Sequence, residues 1–238
     1  MLPESAARIE AQLADDALLL DVGGWASAFP RADWVIDLMP YATRGLYGDR
    51  SRESERFTEA TWVQRDICDH EPWPFADKQF DFAICSHTLE DIRDPIWVCS
   101  ELQRVARAGY VEVPSRLEEQ THGFEGPWTG WSHHRWITEQ AADGTLEFAF
   151  KPHLVHGGSH VSLPAAVQRS LTPQERVLTV WWEGVLPARE RIFTDPDELA
   201  EWLTSFADEH RVDVPRAGLA RRARRWLAWK LDSSGERF

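Results

Sequence analysis

The fold of this chain is set by residues 17–37, which read ALLLDVGGWASAFPRADWVID. The apolar run ALLLDV has the length and boundaries of a buried parallel strand, and Gly23-Gly24 ends it with a turn. A second apolar run, DWVID, ends in Asp37, 16 positions after Asp21. A carboxylate at about this distance is where mononucleotide-binding folds hold a ribose hydroxyl. The stretch therefore predicts two neighbouring parallel strands with a ligand-binding turn between them.

Strands and crossovers alternate on both sides of this unit. An amphipathic helix is predicted at 4–14. A second helix with one apolar face is predicted to start at Asp94-Pro95, a pair typical of helix starts, and to end at Gly109. Further strands are predicted at 61–67, 80–87 and 110–115. This alternation predicts an α/β protein with a doubly wound, mostly parallel Rossmann-like sheet.

The pattern changes after Pro114. Two segments around AADG, RWITEQ and TLEFAFK, predict an added antiparallel hairpin, and RVLTVWWEG predicts another strand. A helix is predicted to start within TDPDE at 194–198. We interpret residues 1–238 as one domain. Its parts are a parallel-sheet core at about 15–115, an insertion at about 116–165, and C-terminal strands and helices at 166–238.

Composition limits the partners that the chain can have. Its net charge of −13 argues against nucleic acid, because phosphate binding needs a basic surface. No apolar run approaches 18 residues, and the charged N-terminal segment does not have the pattern of a secretory signal. Cys68, Cys85 and Cys99 form no CxxC pair, as expected of reduced thiols. We therefore expect a cytoplasmic protein without integral membrane association.

A strongly basic helix is predicted at 217–231. Its apolar stripe and arginines suit docking on the acidic body of the chain or on a second copy in a homodimer. A membrane surface or an anionic partner is the alternative interpretation.

Several motifs, in order, resemble class I S-adenosylmethionine-dependent methyltransferases, and specifically a bacterial subgroup of them. The first is Gly23-Gly24 followed by Phe29-Pro30, Ala32-Asp33 and the strand that ends in Asp37. RDICDHEPWPFADKQFDFAICSHTLEDIRDP resembles the subgroup's next segment, GYVEVPS its fifth strand, and HRW with TLEFAFK its later hairpin. The similarity covers roughly residues 17–152, so it is more specific than any single motif.

The resemblance implies a cofactor site for S-adenosyl-L-methionine at the carboxyl ends of the strands. By this resemblance, Asp21, Gly23 and Gly24 line the methionine part, and Asp37 holds the ribose hydroxyls. Asp66 and Ile67 meet the adenine, and Ser86 lies beneath the sulfonium.

The first motif departs from the family pattern at two positions. Trp25 and Ser27 stand where the usual loop carries its second and third glycines. The departure implies that the cofactor is held differently or weakly there. A cofactor-free or non-catalytic descendant of the same fold is the alternative.

Methyl transfer to a hydroxyl requires an oriented acceptor and a group that removes its proton. His134, in the HRW motif, is the first candidate, and His133 is its neighbour. His87 and Glu90 follow the fourth strand on the same side. An imidazole pKa near 6.5 suits this role, but each residue can equally be a hydrogen-bonded loop residue.

Tryptophans surround these histidines in a segment rich in glycine. Trp128, Trp131 and Trp136 offer flat faces on which a sugar ring could stack, although a lid or a dimer contact would also explain them. The spacing of HLVHGGSH at 153–160 could suit a metal, but it is a weak signal. An Mg²⁺ ion assisting the acceptor hydroxyl, as in some sugar methyltransferases, is compatible with the resemblance, and the metal requirement stays open.

The predicted function is O-methylation of a sugar hydroxyl, most specifically of a saccharide of a methylated bacterial polysaccharide. The acceptor is then a small molecule or an oligosaccharide. The alternatives are a small phenolic or lipid-like metabolite as acceptor, and a binding protein without turnover.

Overall fold

A computed structural model describes residues 1–46 and 54–211. In chain order, its helices and strands are α1 (Pro3–Gln12), β1 (Leu19–Val22), β2 (Trp34–Asp37), β3 (Trp62–Gln64), β4 (Phe80–Ser86), α2 (Pro95–Val105), β5 (Ala106–Pro114), α3 (Arg116–Glu119), β6 (Thr121–His122), β7 (Trp136–Gln140), β8 (Leu146–Phe150), β9 (Leu163–Pro164), α4 (Ala165–Ser170), β10 (Val177–Glu183), β11 (Ala188–Glu190) and α5 (Pro196–Glu209).

The central sheet has six strands in the order β10-β5-β4-β1-β2-β3. All neighbours run parallel except β10, which is antiparallel to β5. The predicted hairpin forms as β7 and β8, and β11 extends it into a second, three-stranded sheet. Strands β6 and β9 form a short parallel ribbon. The predicted α/β class with a mainly parallel sheet is confirmed.

Strand β1 lies in the middle of the sheet, and three of its four residues are apolar. All four of its residues are buried, since β2 and β4 flank it and the layers on both faces cover it. Val22, its last residue, lies opposite Ile36 of β2 and Cys85 of β4. This register brings the carboxyl ends of the three strands to one edge, so the residues that follow them become neighbours.

Helix α2 begins as predicted, with the Asp94 carboxylate accepting a hydrogen bond from the Trp97 backbone N–H at 2.9 Å. The prediction that Gly109 ends this helix is wrong: the helix ends at Val105, and Gly109 lies within β5. A Cβ at Gly109 would come 2.5 Å from the Ala83 carbonyl oxygen and from the Trp182 ring. Glycine is therefore needed there for close strand packing, not for helix termination.

The C-terminal part of the described chain ends with α5, which the Asp195 side chain caps as predicted. The basic helix predicted at 217–231 lies outside the described residues. Cys68, Cys85 and Cys99 are free and buried. None of the helices in the described ranges has the length and apolarity that crossing a lipid bilayer requires.

Candidate active site

A pocket of about 940 Å³ opens at the carboxyl ends of β1, β2 and β4, where open α/β sheets bind their ligands. Every residue predicted to bind the cofactor or to take part in catalysis lines it. They are Asp21, Gly23, Gly24, Asp37, Asp66, Ile67, Ser86, His87, Glu90, His133 and His134. We name two parts of its lining the strand-end wall (Asp21, Gly23, Gly24, Asp37 and Ile67) and the histidine wall (Glu90, Asp91, Trp131, His133 and His134).

The turn after β1 has no room for side chains. Gly23 adopts a φ of +78°, and a Cβ on it would lie 2.1 Å from Oγ1 of Thr88. A Cβ on Gly24 would lie 2.7 Å from Oδ2 of Asp21. Both positions therefore require glycine because the Thr88 and Asp21 side chains pack directly against the turn, and both glycines line the pocket.

Asp21 supports this turn from beneath. Its carboxylate is buried and accepts a hydrogen bond from the Phe29 backbone N–H at 2.7 Å, which closes the loop over the turn. Burial raises the pKa of Asp21 to about 7, against the opposing effect of that hydrogen bond. A cationic ligand group in the pocket would favour the ionised form of this carboxylate.

Asp37 and Trp25 together explain how the turn is held without the usual extra glycines. The Trp25 backbone N–H donates to Asp37 Oδ2 at 2.9 Å, and its indole N–H donates to Thr43 Oγ1 at 3.0 Å. The Met39 backbone N–H donates to Asp37 Oδ1 at 2.7 Å. Each carboxylate oxygen retains a lone pair for a further donor, such as a ribose hydroxyl.

Asp66 and Ser86 complete the lining beside the strand-end wall. Asp66 pairs with Arg93 at 2.5 Å, and this ion pair, with the Cys68 backbone N–H, outweighs burial and lowers the pKa of Asp66. Ser86 follows Cys85 at the end of β4, and its hydroxyl donates to Glu112 Oε1 at 3.3 Å.

The histidine wall is held by a buried ion pair from another segment. Glu119 Oε1 lies 2.6 Å from His134 Nδ1, and Glu119 Oε2 lies 2.9 Å from Lys151 Nζ. Burial opposes a charge on His134, but the hydrogen bond and the charge of Glu119 outweigh it and raise the pKa of His134. Its Nε2 faces Asp91, with 3.7 Å to Oδ1.

His87 lies between two carboxylates and has a left-handed backbone, with φ of +53°. Its Nε2 is 3.1 Å from Glu112 Oε1, and its Nδ1 is 3.4 Å from Glu90 Oε1. Burial disfavours its charge, but the two carboxylates prevail and raise the pKa of His87 to about 9. His87 is therefore charged at neutral pH and is a poor proton acceptor.

The Glu90 carboxylate has fewer polar partners than the His87 imidazole. This carboxylate is 1% exposed, and within the described part of the chain neither oxygen has a well-formed hydrogen bond. Its nearest charged partner is His87, with Nδ1 3.4 Å from Oε1, so this carboxylate has hydrogen-bonding capacity left for a group that enters the pocket.

The three tryptophans expected around the acceptor are separated. Only Trp131 lines the pocket, where its ring lies 5.9 Å from that of His134 and its indole N–H donates to Glu118 at 3.2 Å. Trp136 is a core residue of β7 whose indole N–H donates to the Ile92 carbonyl. Trp128 is 47% exposed beside His156, away from the pocket lining. Trp136 is the first residue of β7 and its side chain faces the core, so the prediction that it contacts the acceptor, made from its glycine-rich context, is not supported.

The histidines of HLVHGGSH do not converge. Among the described residues, the only cluster whose ligand atoms could share a metal ion is Asp91, His133 and His134. His156 Nδ1 instead accepts a hydrogen bond from the Thr129 backbone N–H at 3.1 Å. The weak metal signal at 153–160 is therefore not supported by the geometry.

Several residues of the site did not stand out as site residues in the sequence. Glu118 and Glu119 follow β5, and Glu112 lies in it, two residues before Pro114. Their position in the sequence could have identified them, since charged residues at the carboxyl end of a buried strand lie at the same sheet edge as the other strand ends.

Comparison with known proteins agrees with this geometry. A family model described as a methyltransferase domain matches residues 34–111, from the start of β2 into β5. Residues 34–111 are therefore similar to a methyltransferase domain. A sequence comparison with curated proteins gives no match.

Solved structures similar to this chain include an S-adenosylmethionine-dependent methyltransferase from Aquifex aeolicus, with 17% identity and a TM-score of 0.36 over 48% of this chain and 65% of that one. Another, from Mesorhizobium loti, has 16% identity and a TM-score of 0.35 over 63% and 65%. The YcgJ protein of Bacillus subtilis has 19% identity and a TM-score of 0.37 over 47% and 51%. These similarities concern the fold alone, and the chain spans 51% to 65% of the length of these structures.

Proposed function

We propose that this protein transfers the methyl group of S-adenosylmethionine to a hydroxyl group of a saccharide. The observation that carries the proposal is the Gly23-Gly24 turn with Asp37 beside it, opening into one pocket that the histidine wall also lines. In this proposal the strand-end wall binds the cofactor. The methionine part lies over the glycine turn, and the ribose hydroxyls donate to Asp37.

The histidine wall then binds the acceptor. A hydroxyl must lose its proton as its oxygen attacks the methyl carbon, and two side chains in this wall could accept that proton. His134 is oriented by Glu119 through Nδ1 and presents Nε2 to the pocket side, toward Asp91. Glu90 is a buried carboxylate without well-formed hydrogen bonds. The charged His87 is better suited to electrostatic support than to proton removal.

A saccharide acceptor is supported by the mixed chemistry of this wall. Trp131 offers an aromatic face, and carboxylates and imidazoles around it can bond to several hydroxyls. Only one of the three expected tryptophans contributes. An Mg²⁺ ion is not part of the proposal, because Mg²⁺ prefers oxygen ligands and this wall also presents two imidazoles.

Calorimetry of the purified protein with S-adenosylmethionine and with its demethylated product tests the first half of the proposal. Binding of both is expected. A folded sample that gives no heat with either ligand would favour a binding protein of the same fold that lacks turnover.

Transfer of a labelled methyl group to a panel of acceptors tests the second half. Saccharides should be methylated and flat phenols should not. A phenol that turns over faster than every saccharide would contradict the sugar acceptor and leave the methyl-transfer proposal intact.

A further inference from the structure

The imidazoles of the histidine wall converge on one carboxylate. Asp91, His133 and His134 place their ligand atoms within 4.8 Å of one another. His134 Nε2 is 3.7 Å from Asp91 Oδ1, and His133 Nε2 is 3.9 Å from the same atom. Both distances are too long for hydrogen bonds. Two ligands that each lie about 2.1 Å from a tetrahedral metal ion are about 3.4 Å apart, so both histidine–aspartate distances are within a few tenths of an ångström of that spacing.

The orientation of His134 is the one that metal-binding histidines have. Glu119 lies 2.6 Å from Nδ1, so in its neutral form the ring donates Nδ1–H to that carboxylate and carries its lone pair on Nε2. Metal-bound histidines almost always make such an outer hydrogen bond to a carboxylate or carbonyl. Lys151 neutralises the far oxygen of Glu119 at 2.9 Å, which stabilises this buried arrangement.

Buried carboxylate oxygens without hydrogen-bond partners also lie in the histidine wall. Asp91 Oδ1 and both carboxylate oxygens of Glu90 are buried, and within the described ranges they have no hydrogen-bond partner. Glu90 is 1% exposed and lines the same pocket. The charged His87 lies 3.4 Å from Glu90 Oε1, and the other two buried oxygens are costly unless a further cation joins them.

We propose that Asp91, His133 and His134 bind a divalent transition-metal ion at the acceptor end of the pocket, with Glu90 beside it. Two imidazoles and a carboxylate suit Zn²⁺, Co²⁺, Ni²⁺ or Mn²⁺ better than Mg²⁺. Three protein ligands leave a coordination position open for an acceptor oxygen or a water molecule.

The catalytic use of this ion rests on the proposed function. A bound metal lowers the pKa of a coordinated hydroxyl. The hydroxyl proton then passes to the Glu90 carboxylate, and the oxygen forms a bond to the methyl carbon. The carbon–sulfur bond breaks as its electron pair moves to sulfur, which leaves a neutral thioether. In this arrangement His134 is a metal ligand, and Glu90 is the proton acceptor.

Metal binding is testable without any methyl transfer. Protein treated with a chelator and dialysed is titrated with Zn²⁺ and with Co²⁺, by calorimetry and by the visible absorption of bound Co²⁺. One site per chain is expected. His133→Ala and Asp91→Asn should each weaken binding at least about 100-fold, beyond the roughly 10–100-fold that loss of an outer partner causes, which is the effect expected of Glu119→Gln.

His153→Ala is the matched control, because this exposed histidine lies outside the pocket lining. It should bind Zn²⁺ and Co²⁺ as the wild type does. His133 is itself 60% exposed, so its variant should fold, and far-ultraviolet circular dichroism checks this.

Three results would overturn the proposal. The wild type could bind neither ion, His133→Ala and Asp91→Asn could bind as tightly as the wild type, or Mg²⁺ could bind more tightly than Zn²⁺. Calorimetry with S-adenosylmethionine on the same samples separates this failure from failure of the proposed function, since cofactor binding uses the strand-end wall.

Discussion

The strand-end wall of the pocket is built mainly from backbone and short loops, whereas the histidine wall is built from ionisable side chains of distant segments. In the first, Gly23 and Gly24 form a tight turn that lines the pocket, and Asp37 is held by backbone N–H groups. In the second, His134 is positioned by Glu119, which follows β5, and by Lys151, which follows β8. A change in the first should alter cofactor affinity, and a change in the second should alter turnover.

Removal of the His134 imidazole should have the largest effect. We expect His134→Ala to lower methyl transfer by about 10²–10⁴-fold, the usual contribution of a group that assists proton removal. Cofactor affinity should be nearly unchanged, because His134 lies in the histidine wall. Steady-state turnover and calorimetry measure the two quantities, with His153→Ala as the control. Turnover like that of the wild type would exclude His134 from the chemistry.

For Asp37→Ala we expect weaker cofactor binding, in contrast to the loss of turnover expected for His134→Ala. Loss of charge-assisted hydrogen bonds to ribose should cost about 1.5–3 kcal/mol each and weaken cofactor binding roughly 10- to 100-fold per bond. Calorimetry measures this. The control is Asp33→Ala, which removes a carboxylate that accepts from the Leu19 backbone N–H outside the pocket. That control should lower the melting temperature and leave affinity unchanged, and equal affinity losses in both variants would contradict a ribose contact.

A smaller effect, on KM for a saccharide, is expected for Trp131→Ala and not for Trp128→Ala. Loss of an aromatic stacking partner costs about 0.5–1.5 kcal/mol, so Trp131→Ala should raise KM for a saccharide roughly 2- to 10-fold. Trp128→Ala, outside the pocket lining, should not change KM. A joint change of kcat and KM in Trp131→Ala would indicate a lid instead of a stacking surface.

The smallest effect concerns pH and stability. The pKa of His87 is raised to about 9 in the folded protein, so its stabilising contribution is complete below 6.5 and is lost as pH rises through 9. The pKa of Glu112 is lowered to about 2, mainly because hydrogen bonds from His87, Tyr110 and the Leu2 backbone outweigh burial. Its contribution is complete above 4.5 and is lost as pH falls through 2.

Thermal melts between pH 6 and pH 10 test this prediction. Because His87 is 45% exposed, solvent screens its ion pairs, and we expect a decline of only a few degrees across this range. His87→Gln should reduce the decline. An unchanged slope in that variant would show that His87 does not couple folding to pH.

The sequence alone determined the elements that depend on local pattern. Apolar runs located β1, β2 and β4, and the Asp94-Pro95 pair located the start of α2. The carboxyl ends of parallel strands meet at one edge, so the positions of Gly23 and Asp37 also followed from this pattern. Gly109 was misinterpreted because a glycine can serve a helix end or close strand packing, and only its neighbour Trp182 distinguishes them.

Only the tertiary structure decided which side chains of the later segments face the pocket. Trp131 and Trp136 are five residues apart in one motif, yet one lines the pocket and the other is in the core. Glu119 meets His134 through the packing of α3 near β7, and no sequence period links the two. The physical reason is that a backbone turn is a local property, whereas a network of buried charges depends on which distant elements pack together.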